Sequence, residues 1–226
     1  MRVLLVAATA AEIAPVVAAL TFLSDAGPRL KRYARAKHEV EVLTTGVGMV
    51  ATAAWCARVM NGGRYSLVLN AGVCGAFDPG LPPGTVVQVV ADRLSELGAE
   101  DGDAFLSIQD LGLLGPHEYP FTGGQLVNAD PPENAAIARL PQVSGITVNT
   151  AHGNDRTIAE VAARFAPAVE SMEGAAFMYA AIISKLPFAQ LRAVSNVVER
   201  RNRDAWKLDG AIQALGTVVR DVLDQA

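Results

Sequence analysis

The chain has 226 residues, 51% of them hydrophobic, enough to bury a large core, and its length fits one α/β domain over residues 1–226 better than two. The 19 basic and 23 acidic residues leave a formal charge of -4, so no general basic field exists to hold nucleic acid by its phosphates, and no nucleic-acid partner is expected. Cys56 and Cys74 form no C-x-x-C pair and no ligand cluster with His38, His117 or His152, which excludes a disulfide framework and gives no reason to expect a metal; two buried thiols are expected instead.

Residues 2–8 are a continuous apolar run, the pattern of a strand covered on both faces, as in a parallel sheet. With Met1-Arg2 ahead of it the run imitates a signal peptide, but it stops at Glu12, well short of the roughly 20 residues a membrane span needs. The expectation is a cytoplasmic protein with no membrane partner. Glu12 is predicted in the first turn of a helix reaching about Leu20, where an acid is a favourable partner for the helix dipole.

Residues 38–43 predict a strand, followed by Thr44-Thr45-Gly46-Val47-Gly48-Met49-Val50-Ala51 and a helix ending near Asn61-Gly62-Gly63. The spacing G-x-G-x-x-A satisfies the dinucleotide-binding fingerprint, in which glycines let the backbone approach a pyrophosphate at a helix N-terminus. That fingerprint also needs an acid about 20 residues on for the ribose hydroxyls. The next strand, residues 66–69, ends instead in Asn70-Ala71-Gly72, so an NAD(P)-dependent oxidoreductase lacks its ribose anchor here. The stretch Asn70-Ala71-Gly72-Val73-Cys74-Gly75-Ala76-Phe77 reads as a loop leaving that strand. It is either a tight turn or a surface bare enough for a flat ligand.

Asp78-Pro79-Gly80-Leu81-Pro82-Pro83-Gly84 is a rigid turn before another buried strand over residues 85–90. Residues 92–128 carry little periodicity and predict a long surface excursion with one short strand; segments of this length are usually functional or mobile. Residues 131–140 predict a helix with Pro in its first turn, residues 143–150 a strand, and Ala151-His152-Gly153-Asn154-Asp155 a turn into a helix through Phe165. Glu173 precedes an apolar run of helical length, and residues 189–194 form a short buried strand that delivers Ser195 and Asn196 to its carboxyl end, where open α/β sheets place ligand groups. A solvated basic turn, Arg200, Arg201 and Arg203, follows. The last segment spaces Trp206, Leu208, Ile212, Leu215, Val218, Val219 and Val222 as the core-facing side of a closing helix.

Met172-Glu173-Gly174-Ala175, followed in the next strand by Arg192-Ala193-Val194-Ser195-Asn196, resembles the nucleoside phosphorylase and nucleosidase superfamily over nearly the whole chain. The resemblance implies a phosphorylase-like three-layer α/β sandwich, a mixed central sheet flanked by helices, acting on a small nucleoside as a homo-oligomer, often a dimer, with no metal or organic cofactor. It implies that Met172 and Glu173 hold the ribose, Glu12 activates the attacking water, and Gly46, Gly48, Gly72, Val73, Cys74 and Gly75 line the pocket. It further implies that Ser195 and Asn196 meet the purine, that His152 is a candidate stacking partner in place of the usual Asp-Ala-Phe pattern, and that Phe105 or Tyr119 covers the substrate. The residue after the strand Ser is usually Asp in the methylthioadenosine nucleosidases. Asn196, with Val197-Val198-Glu199-Arg200-Arg201-Asn202-Arg203 behind it, is similar instead to the branch that hydrolyses futalosine, a nucleoside with a benzoate carboxylate beyond its ribose.

On that resemblance Arg201 and Arg203 are the expected carboxylate partners, since a guanidinium meets a carboxylate in a planar, bidentate contact that Lys does not reproduce. Asn196 can accept from a protonated N7 and donate to a 6-oxo group, which suits hypoxanthine, whereas a carboxylic acid suits adenine. Two alternatives stay open: a methylthioadenosine, S-adenosylhomocysteine or aminodeoxyfutalosine nucleosidase, and a non-catalytic nucleoside-binding protein on the same fold.

Overall fold

The computed structural model describes residues 1–62 and 64–226. It begins with β1 (Arg2–Ala7), the single-turn helix α1 (Ala14–Val17), a hairpin of β2 (Thr21–Gly27) and β3 (Leu30–Arg35), then β4 (His38–Thr44) and α2 (Met49–Met60). Next come β5 (Leu67–Ala76), β6 (Val86–Asp92), a small hairpin of β7 (Gly98–Asp101) and β8 (Ala104–Ser107), and the two-residue β9 (Leu126–Val127). The chain ends with α3 (Ala135–Ala138), β10 (Gln142–Thr147), α4 (Asp155–Phe165), β11 (Val169–Ser171), α5 (Gly174–Ile183), β12 (Phe188–Val197), a 3-10 turn at Arg203–Ala205, and α6 (Leu208–Asp224).

All strands except β7 and β8 join one mixed sheet in the order β11-β10-β6-β12-β5-β1-β4-β3-β2, with β9 beside β6. β1, β4, β5 and β12 run parallel, as the continuous apolar runs predict. At the far edge β11 also pairs antiparallel with β5, Glu170 opposite Gly75, so five strands close into a ring while the rest stay open.

The period of two along β1 sorts the core into two layers. Val3, Leu5 and Ala7 face α1, α3 and α6, whereas Leu4 and Val6 face α2 and α5. The small, wholly apolar α5 is buried along most of its length, and its Phe177 stacks edge-on against Phe188 at 5.9 Å between ring centres. Of the expected core face of α6, Leu215, Val219 and Val222 are buried and Ile212 and Val218 half-buried, while Trp206 and Leu208 lie at or before its start and stay partly exposed, off the core face.

Several expectations are corrected. Glu12 lies outside a helix, before the capping residue Ile13, because Pro15 sets the start of α1 and that helix lasts one turn. The stretch from Asn70 to Ala76 is not a loop but the second half of β5, held extended because β12 pairs with it from Val68 to Ala76. The hairpin β2 and β3 was not anticipated; its polar, mostly exposed edge lacks the apolar alternation that marks a strand. The excursion holds three short strands rather than one. The expected end of α2 included Gly63, which lies outside the described residues; the helix closes at Met60 with Asn61 capping. Among the described residues no helix is long and apolar enough to cross a membrane.

On the α2 side, the open part of the sheet is tied by Glu41. This fully buried carboxylate accepts from Arg2 Nη2 at 2.7 Å, from Arg32 Nε at 2.8 Å, and from the Tyr65 hydroxyl. Burial opposes ionisation, but the three donors together hold its pKa below the ordinary carboxylate value. Its contribution is therefore complete above the unfolded pKa and lost as pH falls through the folded one. Glu41→Gln is expected to cost about 2–3 kcal/mol in urea unfolding at pH 7. That is somewhat below the usual cost of breaking a buried pair, because the arginine side chains keep 33% and 43% exposure. The difference from wild type should shrink below pH 4.

Candidate active site

A cleft of about 330 Å³ opens at the carboxyl ends of β1, β5 and β12. Glu12, Val73, Cys74, Gly75, His152, Met172, Glu173, Ser195, Asn196 and Arg201 all line it. Gly46, Gly48 and Gly72, expected to line it, do not. Arg203 is exposed in the 3-10 turn and does not line the cleft, because the chain turns outward after Asn202.

Glu12 is 8% exposed and is fixed by a local turn. Its Oε2 accepts from Thr9 N at 2.9 Å and Thr9 Oγ1 at 3.0 Å, and Oε1 accepts from Val73 N at 3.2 Å. Glu173, 5% exposed, occupies the capping position of α5, and its side chain makes no bond to that helix. Its Oε1 crosses to Gly48 N at 3.0 Å, placing a carboxylate on the N-terminus of α2, where the dipole favours it. Gly48 has φ +97°, a left-handed geometry that points this N–H at Glu173.

Between the two acids lies Arg192, 1% exposed. Its Nη2 donates to Asn70 Oδ1 at 2.5 Å and Gln190 Oε1 at 3.3 Å, and Nη1 is 3.9 Å from Glu173 Oε2. A methyl group on Gly72 would stand 2.8 Å from Glu12 Oε1 and press on Arg192 Nη1. Gly72 is thus the gap through which the guanidinium approaches Glu12.

At the other end, β12 bulges. Val194 pairs with Cys74 and Asn196 with Gly75, so Ser195 is the extra residue, and such bulges re-aim side chains beside binding sites. Ser195 Oγ bonds Asn196 Oδ1 at 2.8 Å and Cys74 O at 3.1 Å, while Asn196 Nδ2 donates to Val197 O at 2.9 Å. One lone pair of Oδ1 and one N–H remain for a ligand. Next to it, His152 contacts Glu170 through Nδ1 at 2.6 Å and stands edge-on to Phe77, with ring centres 6.2 Å apart. Arg201 N donates to Gly153 O at 3.2 Å and its guanidinium lies 5.9 Å from the centre of the Trp206 ring, at the rim.

The model of the phosphorylase superfamily matches residues 2–224. The chain belongs to this superfamily. It is 36% identical over 185 residues to the futalosine hydrolase of Streptomyces coelicolor, spanning 79% of this chain and 76% of the relative. It is 33% identical over 224 residues to that of Acidothermus cellulolyticus, spanning 94% and 86%. The solved 5′-methylthioadenosine/S-adenosylhomocysteine nucleosidase of Colwellia psychrerythraea shares its fold at TM-score 0.82 with 21% identity, over 100% of this chain and 95% of that one.

Three groups of the site, Arg192, Glu170 and Thr9, were not expected from the sequence. Arg192 carried the clearest signal, since an arginine inside a largely apolar buried strand calls for buried acceptors. No comparable signal marked Glu170, which lies on a three-residue strand. Among the described residues no cluster of His, Cys, Asp and Glu is arranged to hold a metal.

The crowding at Gly72 yields a sharp expectation. Gly72→Ala should fold, since β5 is ordinary extended backbone, yet displace Glu12 or Arg192. Misplacement on the ångström scale costs on the order of 10²-fold in rate. Steady-state kinetics should show that loss mainly in kcat, with Tm changed by only a few degrees.

Proposed function

We propose that this chain hydrolyses the N-glycosidic bond of futalosine, releasing hypoxanthine and dehypoxanthine futalosine in the futalosine route to menaquinone. The observation that carries this reading is the grouping, on one cleft, of two buried carboxylates flanking Arg192 with an amide, Asn196, at the opposite end. Two curated futalosine hydrolases matching most of the chain support it.

In this reading Glu173 accepts hydrogen bonds from the ribose hydroxyls and puts negative charge near the oxocarbenium-like C1′ of the transition state. Glu12, free to receive a proton because Thr9 and Val73 hold it without neutralising it, takes one from the attacking water. Arg192 lies beside both acids and opposes their mutual repulsion. Asn196 meets the 6-oxo purine through its spare N–H and lone pair. Arg201, on the cleft rim, is the cation available for the benzoate carboxylate; Arg203 is not.

Hydrolysis is favoured over phosphorolysis because phosphate requires a cationic cradle. Here the attacking face presents Glu12, and the α2 N-terminus is already covered by Glu173. The second reading, a methylthioadenosine nucleosidase, draws support from the shared fold, but an amide in place of an acid at Asn196 favours a 6-oxo base.

We also propose a homodimer. Val47 borders the cleft and continues into an apolar groove lined by Met49, Val50, Leu97 and Tyr179, several of them exposed. A second copy laid on this groove would bury them and reach the cleft mouth. The whole chain acts as one domain in this reading, since its sheet takes strands from both ends of the sequence.

Chromatography of the released base tests the assignment with futalosine, aminodeoxyfutalosine, methylthioadenosine and inosine, each with and without phosphate. Hypoxanthine from futalosine is expected, independent of phosphate, with kcat reduced about 10²–10⁴-fold in Glu12→Gln. Adenine from methylthioadenosine instead would favour the second reading. Base release unaffected by Glu12→Gln would refute the role of Glu12, and binding without turnover would leave a nucleoside-binding protein. In the same assay Arg201→Lys should raise KM for futalosine several-fold more than for inosine, whereas Arg203→Lys should change neither.

A further inference from the structure

Asn196 can hold a purine but has no proton to give it, and a purine leaves C1′ readily only when N7 is protonated or otherwise neutralised. We propose that His152, oriented by the buried carboxylate of Glu170, donates that proton to N7 of the leaving base. The proposal rests on the nucleosidase reading above and assigns its missing general acid.

Glu170 is 6% exposed, yet both its oxygens are committed to one residue. Oε1 accepts from His152 N at 3.0 Å, and Oε2 lies 2.6 Å from His152 Nδ1, a length typical of charge-assisted bonds. An ionised carboxylate only accepts, so Nδ1 carries a hydrogen and the ring is fixed in orientation. Nε2 has no hydrogen-bond partner among the described residues, and the ring lines the cleft. This is the arrangement of an acid or base whose far nitrogen is held by a carboxylate so that its near nitrogen can act.

Its position is also the required one. Glu170 pairs with Gly75 across β11 and β5, and the point where a Gly75 methyl would stand is 3.3 Å from Asn196 Nδ2 and 3.5 Å from Glu170 Cγ. The His152–Glu170 pair therefore borders Asn196, at the base end, while Glu12, Glu173 and Arg192 hold the sugar end. An aromatic ring used only for stacking would have no need of a buried anion behind it.

The surroundings favour the charged ring. The hydrogen bond to Glu170 is the main cause of a pKa above the ordinary histidine value, and Glu96, in the loop after β6, adds to it. Partial burial and Arg164 of α4 act the other way. The remaining charged groups facing this corner are Glu199 and Arg201 at the cleft rim, Glu100 and Asp103 by the β7–β8 hairpin, and Arg156 with Glu160 on α4, paired with each other at 3.5 Å. As C1′–N9 breaks, its electron pair passes into the purine and N7 takes the proton from His152 Nε2. Water bonds to C1′ and its proton goes to Glu12. His152 then regains a proton from solvent and Glu12 releases one, so the cycle closes without another reactant.

The test compares futalosine with its N7-methyl analogue, whose cationic base needs no proton to leave. His152→Phe keeps a flat ring for stacking and removes the proton. Its kcat/KM on futalosine should fall about 10²–10⁴-fold, while on the N7-methyl substrate it should stay within about threefold of wild type, which also shows that the variant folds. For wild type on futalosine, kcat/KM should fall as pH rises through the elevated histidine pKa, and Glu170→Gln should move that limb to lower pH. Wild-type-like turnover of futalosine by His152→Phe would reduce His152 to a stacking ring and overturn the proposal, and so would equal losses on both substrates. Release of no base from either substrate by the wild-type protein would overturn the nucleosidase reading itself, a result distinct from the other two.

Discussion

A charged guanidinium buried in the middle of the sheet sets the terms for everything around it. Removing an arginine from water costs several kcal/mol unless its donors are matched; Arg192, 1% exposed, is met by Asn70, Gln190 and Glu173, while its Nε has no partner among the described residues. Asn70 and Gln190 stand on the inner faces of two central strands where aliphatic residues would otherwise pack, and Glu173 comes from the start of α5. On the α2 side, β5 runs Val68, Asn70, Gly72 and β12 runs Phe188, Gln190, Arg192, so each strand passes from dry core to charged site within one face. The same requirement shapes the helices. α5 begins where it can present Glu173 toward the guanidinium, and Ala175 N is capped from the sheet by Thr147 Oγ1 at 2.7 Å. Thr147 in turn donates to Asp92, whose pKa burial pushes up to about 6.

The cleft has two ends because the sheet has two geometries. Where β1, β4, β5 and β12 run parallel, the chain beyond their carboxyl ends supplies Glu12 and the glycine turn, the usual location of ligand groups in such sheets, while Arg192 reaches them from within β12. Where β11 closes back on β5, Glu170 is carried onto Gly75 and the turn bearing His152 is held against it at the cleft. The bulge at Ser195 lies where these regions meet. Without the extra residue Asn196 would point to the other face of the sheet, because side chains alternate with a period of two.

Long-period features of this architecture were legible in the sequence. The apolar run of β1, the alternation of β4, the helical spacing of α4 and α6 and the all-apolar α5 each bury a face whose pattern is local. Glu12, Glu173 and Asn196 could be picked out because acids and amides beside buried strand ends are rare and because the motifs around them resembled a family. What escaped depends on pairing at a distance. Gly72 and Gly75 look like a loop until β12 is seen beside them, and β2 and β3 are too polar to signal strands. Arg203 looked equivalent to Arg201 in a run of charge, but only Arg201 is tied back, through its backbone, to Gly153. His152 was read as a flat ring because its acidic partner lies across the fold from it, on an element of three residues.

The G-x-G-x-x-A turn shows how the chemistry of a helix N-terminus is settled by what the rest of the chain brings to it. Its glycines, Gly46 and Gly48, take φ of +91° and +97°, and they expose the N-terminus of α2 as they would for a pyrophosphate. In this protein the anion is internal: Glu173 Oε1 accepts from Gly48 N. A phosphate approaching there meets a carboxylate already using the N–H it needs, with Glu12 a second negative charge on the same cleft and Arg192 committed to Asn70 and Gln190. A neutral nucleophile incurs none of that repulsion. The turn that reads as a phosphate cradle in isolation thus holds the Glu173 carboxylate, and in the proposed reading the charge balance it creates favours water over phosphate as nucleophile.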